Sequence, residues 1–292
     1  MTRSLPQARL PLGQAYGLRR AALHQLLVER AAELGVRFMW GSRVSEIRAD
    51  SLYAAGERIS FRWLIGADGQ NSSVRRWAGL DGRRRKHSRF GFRRHYATAP
   101  WSDFVDVHWG RRCQMFVTPT GAEEVCVALL SSDPRMRIER GLQEFPGVAA
   151  RLRGAKALTQ EAGAVSVLSQ ARAAARGNVA LVGDASCAVD GIAGQGLSLA
   201  FQQAVALGEA LSRGDLACYE SAHGRITRNA VRMTRLLLLM NSSAWLRRRA
   251  LRLFAKNQRL FSRMISIHTS EPEGESLRAR DMIGVGWGIL WA

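Results

Sequence analysis

Cysteine is scarce in this chain, and what there is stands apart. Cys113, Cys126, Cys187 and Cys218 form no Cys-x-x-Cys pair, so neither a zinc site nor a disulfide framework is implied, and a reducing, cytoplasmic setting fits. Lysine is nearly absent: the 292 residues carry 43 Lys and Arg against 24 acidic residues, for a net charge of +19, yet only Lys86, Lys156 and Lys256 are lysine. A basic balance of that size suits anionic partners such as nucleic acid, a phosphate-bearing cofactor or lipid headgroups. The arginines are scattered, however, and coding bias accounts for them. With no zinc-finger spacing and no RNA-recognition aromatic pattern, no nucleic-acid partner is expected. Long apolar runs are also missing. The longest near the carboxyl end, residues 236 to 240, is five residues, too short to span a bilayer, and the amino end lacks the apolar core of a signal peptide. The six histidines belong to no His-Glu-x-x-His, Ser-His-Asp or metal-ligand pattern, so no metal is expected and no catalytic side chain is designated. There is no internal repeat.

What is present concentrates in residues 177 to 211, GNVALVGDASCAVDGIAGQGLSLAFQQAVALGEAL. Residues 179 to 182 suit a strand buried on both faces, ended by Gly183 where the backbone must turn. Asp184 then stands at the carboxyl end of that strand, where open α/β sheets place ligands and where a carboxylate accepts hydrogen bonds from sugar hydroxyls. Gly191, Gly194 and Gly196 follow. Lacking Cβ atoms, they let backbone N–H groups approach a ligand just before a helix that begins near Leu197. Residues 63 to 71, WLIGADGQN, repeat the chemistry: an apolar strand, then Gly66, Ala67, Asp68 and Gly69, then Ser72, Ser73 and Val74 opening a helix that carries Arg75 and Arg76. Two such strand ends imply one shared ligand.

Three blocks resemble the FAD-dependent oxidoreductases of the aromatic hydroxylase and geranylgeranyl reductase superfamily, over residues 15 to 215. The run from Tyr16 and Gly17 through Arg20 to Leu23 is similar to the family's Arg-x-x-Leu helix start, with Arg20 as the flavin-contacting arginine. Asp68 and Gly69, with Ser73 and Arg75, resemble its Asp-Gly motif. Gly183 and Asp184 through Gly194, Gln195, Gly196 and Leu197 resemble the motif in which the aspartate binds the ribityl chain or ribose, and the helix start faces the pyrophosphate and flavin. The resemblance implies FAD as cofactor, NAD(P)H as electron donor, and a hydrophobic substrate that is either reduced at an alkene or monooxygenated. Aromatic hydroxylases usually carry His and Pro after the Gly-Asp pair. The run here, Asp184 to Ile192, is closer to the geranylgeranyl reductase pattern, with Gly191 in place of that branch's proline. The Gly-x-Gly-x-x-Gly unit that opens such proteins and cradles the adenylate half of FAD does not occur in the sequence. The alternative reading is therefore a cofactor-deficient homologue acting as a binding or scaffold protein.

The expected fold class is α/β, or α+β overall. Residues 1 to 80 and 170 to 215 would form an incomplete, Rossmann-like FAD-binding domain, residues 81 to 169 an antiparallel-sheet substrate domain, and residues 216 to 292 a helical carboxyl region. Leucines at helical spacing predict a helix over residues 18 to 34 stopped by Gly35, then a strand over 36 to 40 and short strands at 44 to 47, 51 to 54 and 59 to 61. Alternation from residue 90 to 130 predicts the antiparallel sheet, on which His95, His108 and Pro119 fall. Beyond Gly214, arginines at helical spacing (Arg225, Arg228, Arg232, Arg235) describe an amphipathic helix that caps a domain or rests on an anionic membrane surface. The tail with Trp287 and Trp291 is expected to pack back or meet a neighbour. The strand at residues 63 to 67 is expected to leave an open edge that favours self-association.

Overall fold

A computed structural model describes residues 17 to 84 and 89 to 269. The readings of Tyr16 and of the Trp287 and Trp291 tail lie outside the described residues. The helices described are α1 (Arg20–Glu33), α2 (Ser73–Trp77), α3 (Ile138–Leu142), α4 (Pro146–Arg151), α5 (Gly196–Arg213), α6 (Leu216–Ser242), α7 (Ala244–Lys256) and α8 (Gln258–Thr269). Sheet and helix are mixed, as expected.

Two compact units interleave in sequence. Among the described residues, one gathers 17 to 62 and 89 to 166; the other gathers 63 to 84 and 167 to 269. This partition differs from the expected one in two places. Residues 17 to 62 group with the antiparallel sheet, and the helices beyond residue 215 group with the Asp184 segment. The reason for the second is packing: Tyr219 and Leu216 of α6 share a buried cluster with Ala180, Leu207 and Ala210, so α6 completes that core.

In the first unit, α1 ends as its sequence dictates. Gly35 adopts φ +80°, Gly35 N–H donates to Ala32 O and Val36 N–H to Ala31 O, the paired bonds of a Schellman stop. No residue of α1 is buried, and Leu26 and Leu34 are 61% and 67% exposed, so its apolar stripe is present but uncovered within the unit. The expected strand at residues 36 to 40 is not formed. Among the described residues no strand pairs with it, and an isolated strand leaves its backbone groups unsatisfied. Strands Val44–Ile47, Ser51–Ala54 and Glu57–Ser60 form the expected meander, in that order.

The larger sheet of this unit is built from Arg89–Ala97, Asp106–Trp109, Cys113–Gly121, Glu124–Ser131, Lys156–Ala157 and Ala162–Ser166. All its pairings are antiparallel. Alternation decides its two faces. Met115, Val117, Val125, Val127 and Leu129 turn to one side and pack with Met136, Ile138, Phe145 and Val148 around α3 and α4. Phe116, Cys126, Ala128 and Leu130 turn to the other. Between its last long strands the chain forms two short helices, α3 and α4, with Pro146 taking the first position of α4.

In the second unit, Leu64–Gly66 lies parallel to Val179–Leu181, which is 3%, 0% and 0% exposed along its length. Ala175–Arg176 pairs on the far side of Val179–Leu181. Helix α5 buries Leu199, Leu207 and Ala210 at helical spacing and stops at Gly214 with φ +70°; α6 starts on Asp215, whose carboxylate accepts from Ala217 N–H. No helix among the described residues is long and apolar enough to cross a membrane.

Candidate functional site

The parallel pair decides the geometry. Leu64, Ile65 and Gly66 stand opposite Val179, Ala180 and Leu181, and Val182 N–H donates to Gly66 O at 2.9 Å. Both Gly-Asp turns therefore leave the same, carboxyl edge of the sheet. Glycine is required at Gly66, where a Cβ would lie 2.8 Å from Leu181 and 2.9 Å from Val74, and at Gly183, whose φ is +57°.

The two aspartates are used differently. Asp68 Oδ2 accepts from Ser73 N–H at 2.6 Å and Val74 N–H at 3.2 Å, capping α2 together with Ser72 Oγ, which accepts from Arg75 N–H. Partial burial pushes its carboxyl up, but the bonds from Ser72, Val74 and Ser73 outweigh that and leave it below the ordinary value. One of its oxygens is thus spent on the helix start, the local role a Gly-Asp turn often has. Gly69 beside it is left-handed, with φ +77°. Asp184 instead lies exposed in the one-turn 3-10 helix Gly183–Ala185.

Two side chains that sequence reasoning left without a role hold these turns. Arg75, only 8% exposed, donates through Nη1 to Ala185 O and through Nη2 to Gln70 O, both at 2.8 Å, and through Nε to Asp81 Oδ1 at 3.0 Å. It ties the Asp68 turn to the Asp184 turn. Gln203, fully buried, accepts through Oε1 from Gly183 N–H at 2.6 Å and from Ser186 Oγ at 3.1 Å. Its signal was in the sequence: a glutamine falls in register with Leu199 and Leu207 on the buried face of α5.

The start of α5 is open. Gln195 at its cap makes no side-chain capping bond, and Gln195 Oε1 is buried without a partner. Nothing lies within 4 Å of where a Cβ on Gly194 or Gly196 would sit, and Gly196, unlike Gly194 at φ +67°, needs no left-handed backbone. An uncapped helix start with orphan N–H donors, one orphan amide oxygen as acceptor and two Cβ-free positions is open to a ligand's polar atoms. Leu197 follows in the first turn of the helix, half-buried. Cys187, in the same loop, is 2% exposed and burial pushes its thiol up to about 12, so it is a packing group.

Arg20 belongs to the other unit and is the exposed first residue of α1. Its neighbour Arg19 is the engaged one. Arg19 Nε donates to Glu124 Oε1 at 2.8 Å and Arg19 Nη2 also bonds Glu124 Oε2. His95 Nδ1 and Thr120 Oγ1 each lie 2.8 Å from Glu124 Oε1. The Arg19 hydrogen bond is the main reason Glu124 is held down to about 2, with Thr120 and His95 adding to it against the effect of burial. Gly17 sits against Pro119: a Cβ there would lie 1.8 Å from Pro119 O. His108 faces the helix side of the sheet, its ring 5.8 Å from that of Phe145, and burial lowers its basicity. Among the described residues no cluster of His, Cys, Asp and Glu could hold a metal ion.

The family model for the FAD binding domain matches residues 8 to 214. The chain belongs to the FAD binding domain family. Similar solved structures include a triple mutant of the flavin-dependent brominase Bmp2 (15% identity, TM-score 0.66, covering 95% of this chain and 72% of that one). The Diels-Alderase PyrE3 of pyrroindomycin biosynthesis is also similar (22%, 0.64, 85% and 59%), as is OxyS anhydrotetracycline hydroxylase from Streptomyces rimosus (21%, 0.63, 86% and 56%). The chain spans only 56% of the hydroxylase and 59% of the Diels-Alderase. No curated protein matches it in sequence. A brominase, a Diels-Alderase and a hydroxylase on one fold show that the fold alone does not fix the reaction.

Proposed function

We propose that this chain supplies the flavin-facing part of an NAD(P)H-dependent monooxygenase for a hydrophobic small molecule. The observation that carries this is the convergence of the two Gly-Asp turns at one sheet edge beside the uncapped, Cβ-free start of α5. FAD, when bound, supplies the electron chemistry between the nicotinamide donor and oxygen or substrate. Asp184 accepts hydrogen bonds from the ribityl or ribose hydroxyls. The N–H groups at Gly196 and Leu197 face electron-rich oxygens of the cofactor, and Gln195 Oε1 accepts from a cofactor N–H. Arg75 and Gln203 hold the turns in place without touching the ligand. The hydrophobic character of the substrate is carried by the family resemblance alone, since the sheet face of Phe116, Cys126, Ala128 and Leu130 also bears Arg93, His95, Gln114 and Thr118.

Alkene reduction is the second reading, favoured by the run from Asp184 to Ile192, which lacks the His and Pro of aromatic hydroxylases. The two readings part on whether NAD(P)H oxidation consumes oxygen. Flavin fluorescence titration of the full chain tests both. Asp184→Ala should weaken FAD at least tenfold, since a hydrogen bond to a charged group contributes about 1.5 to 3 kcal/mol. Unaltered affinity in a folded variant removes Asp184 from the site, and no FAD binding by the wild type favours the scaffold reading. Self-association through Leu64–Gly66 is part of the proposal, because among the described residues that strand pairs on one side only. Light scattering reads it: a monomer at all concentrations removes it.

A further inference from the structure

The α6 helix forms one wall of a cavity of about 310 Å³ whose other wall is the segment from residue 170 to 174. Residues of α6 at spacings of three and four line it: exposed Glu220, half-buried His223 and buried Thr227, then the exposed Arg228, Arg232 and Arg235. Arg172 reaches it from the opposite wall. Four exposed arginines thus line one open cavity. Glu220, the acid among them, is already engaged, since its Oε2 accepts from Ala174 N–H at 2.6 Å and Ala175 N–H at 2.9 Å. Arg172 and Arg228 have no acidic partner among the described residues, and Arg235 makes only a long bond of 3.4 Å to Gln170 Oε1.

Gly224 is a second, independent sign. It lies inside a 27-residue helix, where glycine is among the poorest choices, yet its backbone is ordinary helix and nothing lies within 4 Å of where its Cβ would be. Neither conformation nor packing calls for glycine there. It is exposed among the residues that line the cavity, so its effect is to keep that stretch of the floor bare of side chain. On that floor, His223 Nε2 lies 3.0 Å from Ser186 Oγ, and burial lowers the basicity of the imidazole, so the ring offers a neutral hydrogen-bonding surface.

We propose that this cavity binds the phosphoryl group of a small phosphate ester or diphosphate, held by Arg172, Arg228, Arg232 and Arg235. Guanidinium forks match phosphate oxygens two at a time, and several of them balance the two or more charges such a group carries. The cavity is open, and its volume lies at the lower end of those that take small ligands. The proposal does not depend on the flavin reading, because no residue named for it is assigned to the flavin.

The test is calorimetric titration of the full chain with inorganic pyrophosphate in an anion-poor buffer. One saturable site is expected. Arg228→Gln with Arg235→Gln should weaken it at least tenfold, Gly224→Phe should abolish it by filling the space, and Gly224→Ala, which meets nothing, should leave it intact. Absence of saturable binding, or equal affinity in wild type, the double variant and Gly224→Phe, overturns the proposal; circular dichroism confirms that each variant keeps its helix content. Vesicles containing phosphatidic acid form a parallel arm. Pyrophosphate binding with no variant-sensitive vesicle binding assigns a soluble phosphate, whereas vesicle binding that falls in the same variants assigns a lipid headgroup as the source of the same chemistry. Citrate competing as well as pyrophosphate would overturn the phosphoryl assignment.

Discussion

Replacing Arg75 by methionine keeps most of the apolar stem and removes the guanidinium that joins the two Gly-Asp turns. Three bonds are lost. The bond to Asp81 counts for little, since that carboxylate side chain is 59% exposed and an exposed ion pair contributes about 0 to 1 kcal/mol. The bonds to Ala185 O and Gln70 O are different, because the arginine is 8% exposed and each carbonyl loses a charge-assisted donor. Each such bond contributes about 1.5 to 3 kcal/mol, offset by the desolvation no longer required of the guanidinium, for a net loss of about 3 kcal/mol. With a urea m-value of about 2 kcal/mol/M, the midpoint should fall by about 1.5 M. Urea titration followed by tryptophan fluorescence and far-UV circular dichroism measures it, Trp63 and Trp77 lying in the same unit. Arg75→Lys, able to keep one carbonyl, should fall between. A midpoint within about 0.3 M of wild type, under 1 kcal/mol at that slope, would falsify the claim that Arg75 fastens the Asp184 turn to the Asp68 turn.

Other outcomes follow from single contacts. Gly17→Ala places a Cβ where Pro119 O stands, 1.8 Å away, so the chain must shift there; its thermal unfolding temperature should drop by several degrees, as expected for a loss of about 1 to 2 kcal/mol. Glu124 has a folded pKa of about 2, below its unfolded value of about 4.3, so its contribution is complete above the unfolded value and is lost as pH falls towards 2. The stability gap between wild type and Glu124→Gln should therefore be constant from pH 7 to 5 and shrink between pH 4.5 and about 2; a gap that ignores pH would contradict the assignment. Cys187, buried with its thiol pushed up to about 12, should resist a thiol reagent in the native protein at pH 8 while the exposed Cys218 reacts, with peptide mapping of the labelled protein as the readout.

Sequence alone determined what depends on near neighbours in the chain. The stop of α1 at Gly35, the start of α5 at the Gly194 to Leu197 run, the meander, and the alternating strands around His95 and Pro119 were all legible, because turn chemistry and periodicity act over a few residues. The Asp184 motif was legible for the same reason. The strand expected at residues 36 to 40 was not formed because pairing is a property of two segments, and local propensity says nothing about the second. Long-range partners were likewise hidden. That Asp68 spends an oxygen on α2 while Asp184 stays exposed follows from where each turn sits against its neighbours. Arg19 meets Glu124 across 105 residues of chain, and Arg75 reaches Ala185 across 110. The arginines of α6 read in sequence as one charged helix face. Only the fold set Arg172 opposite them and opened the space over Gly224, since a cavity exists between segments and belongs to neither.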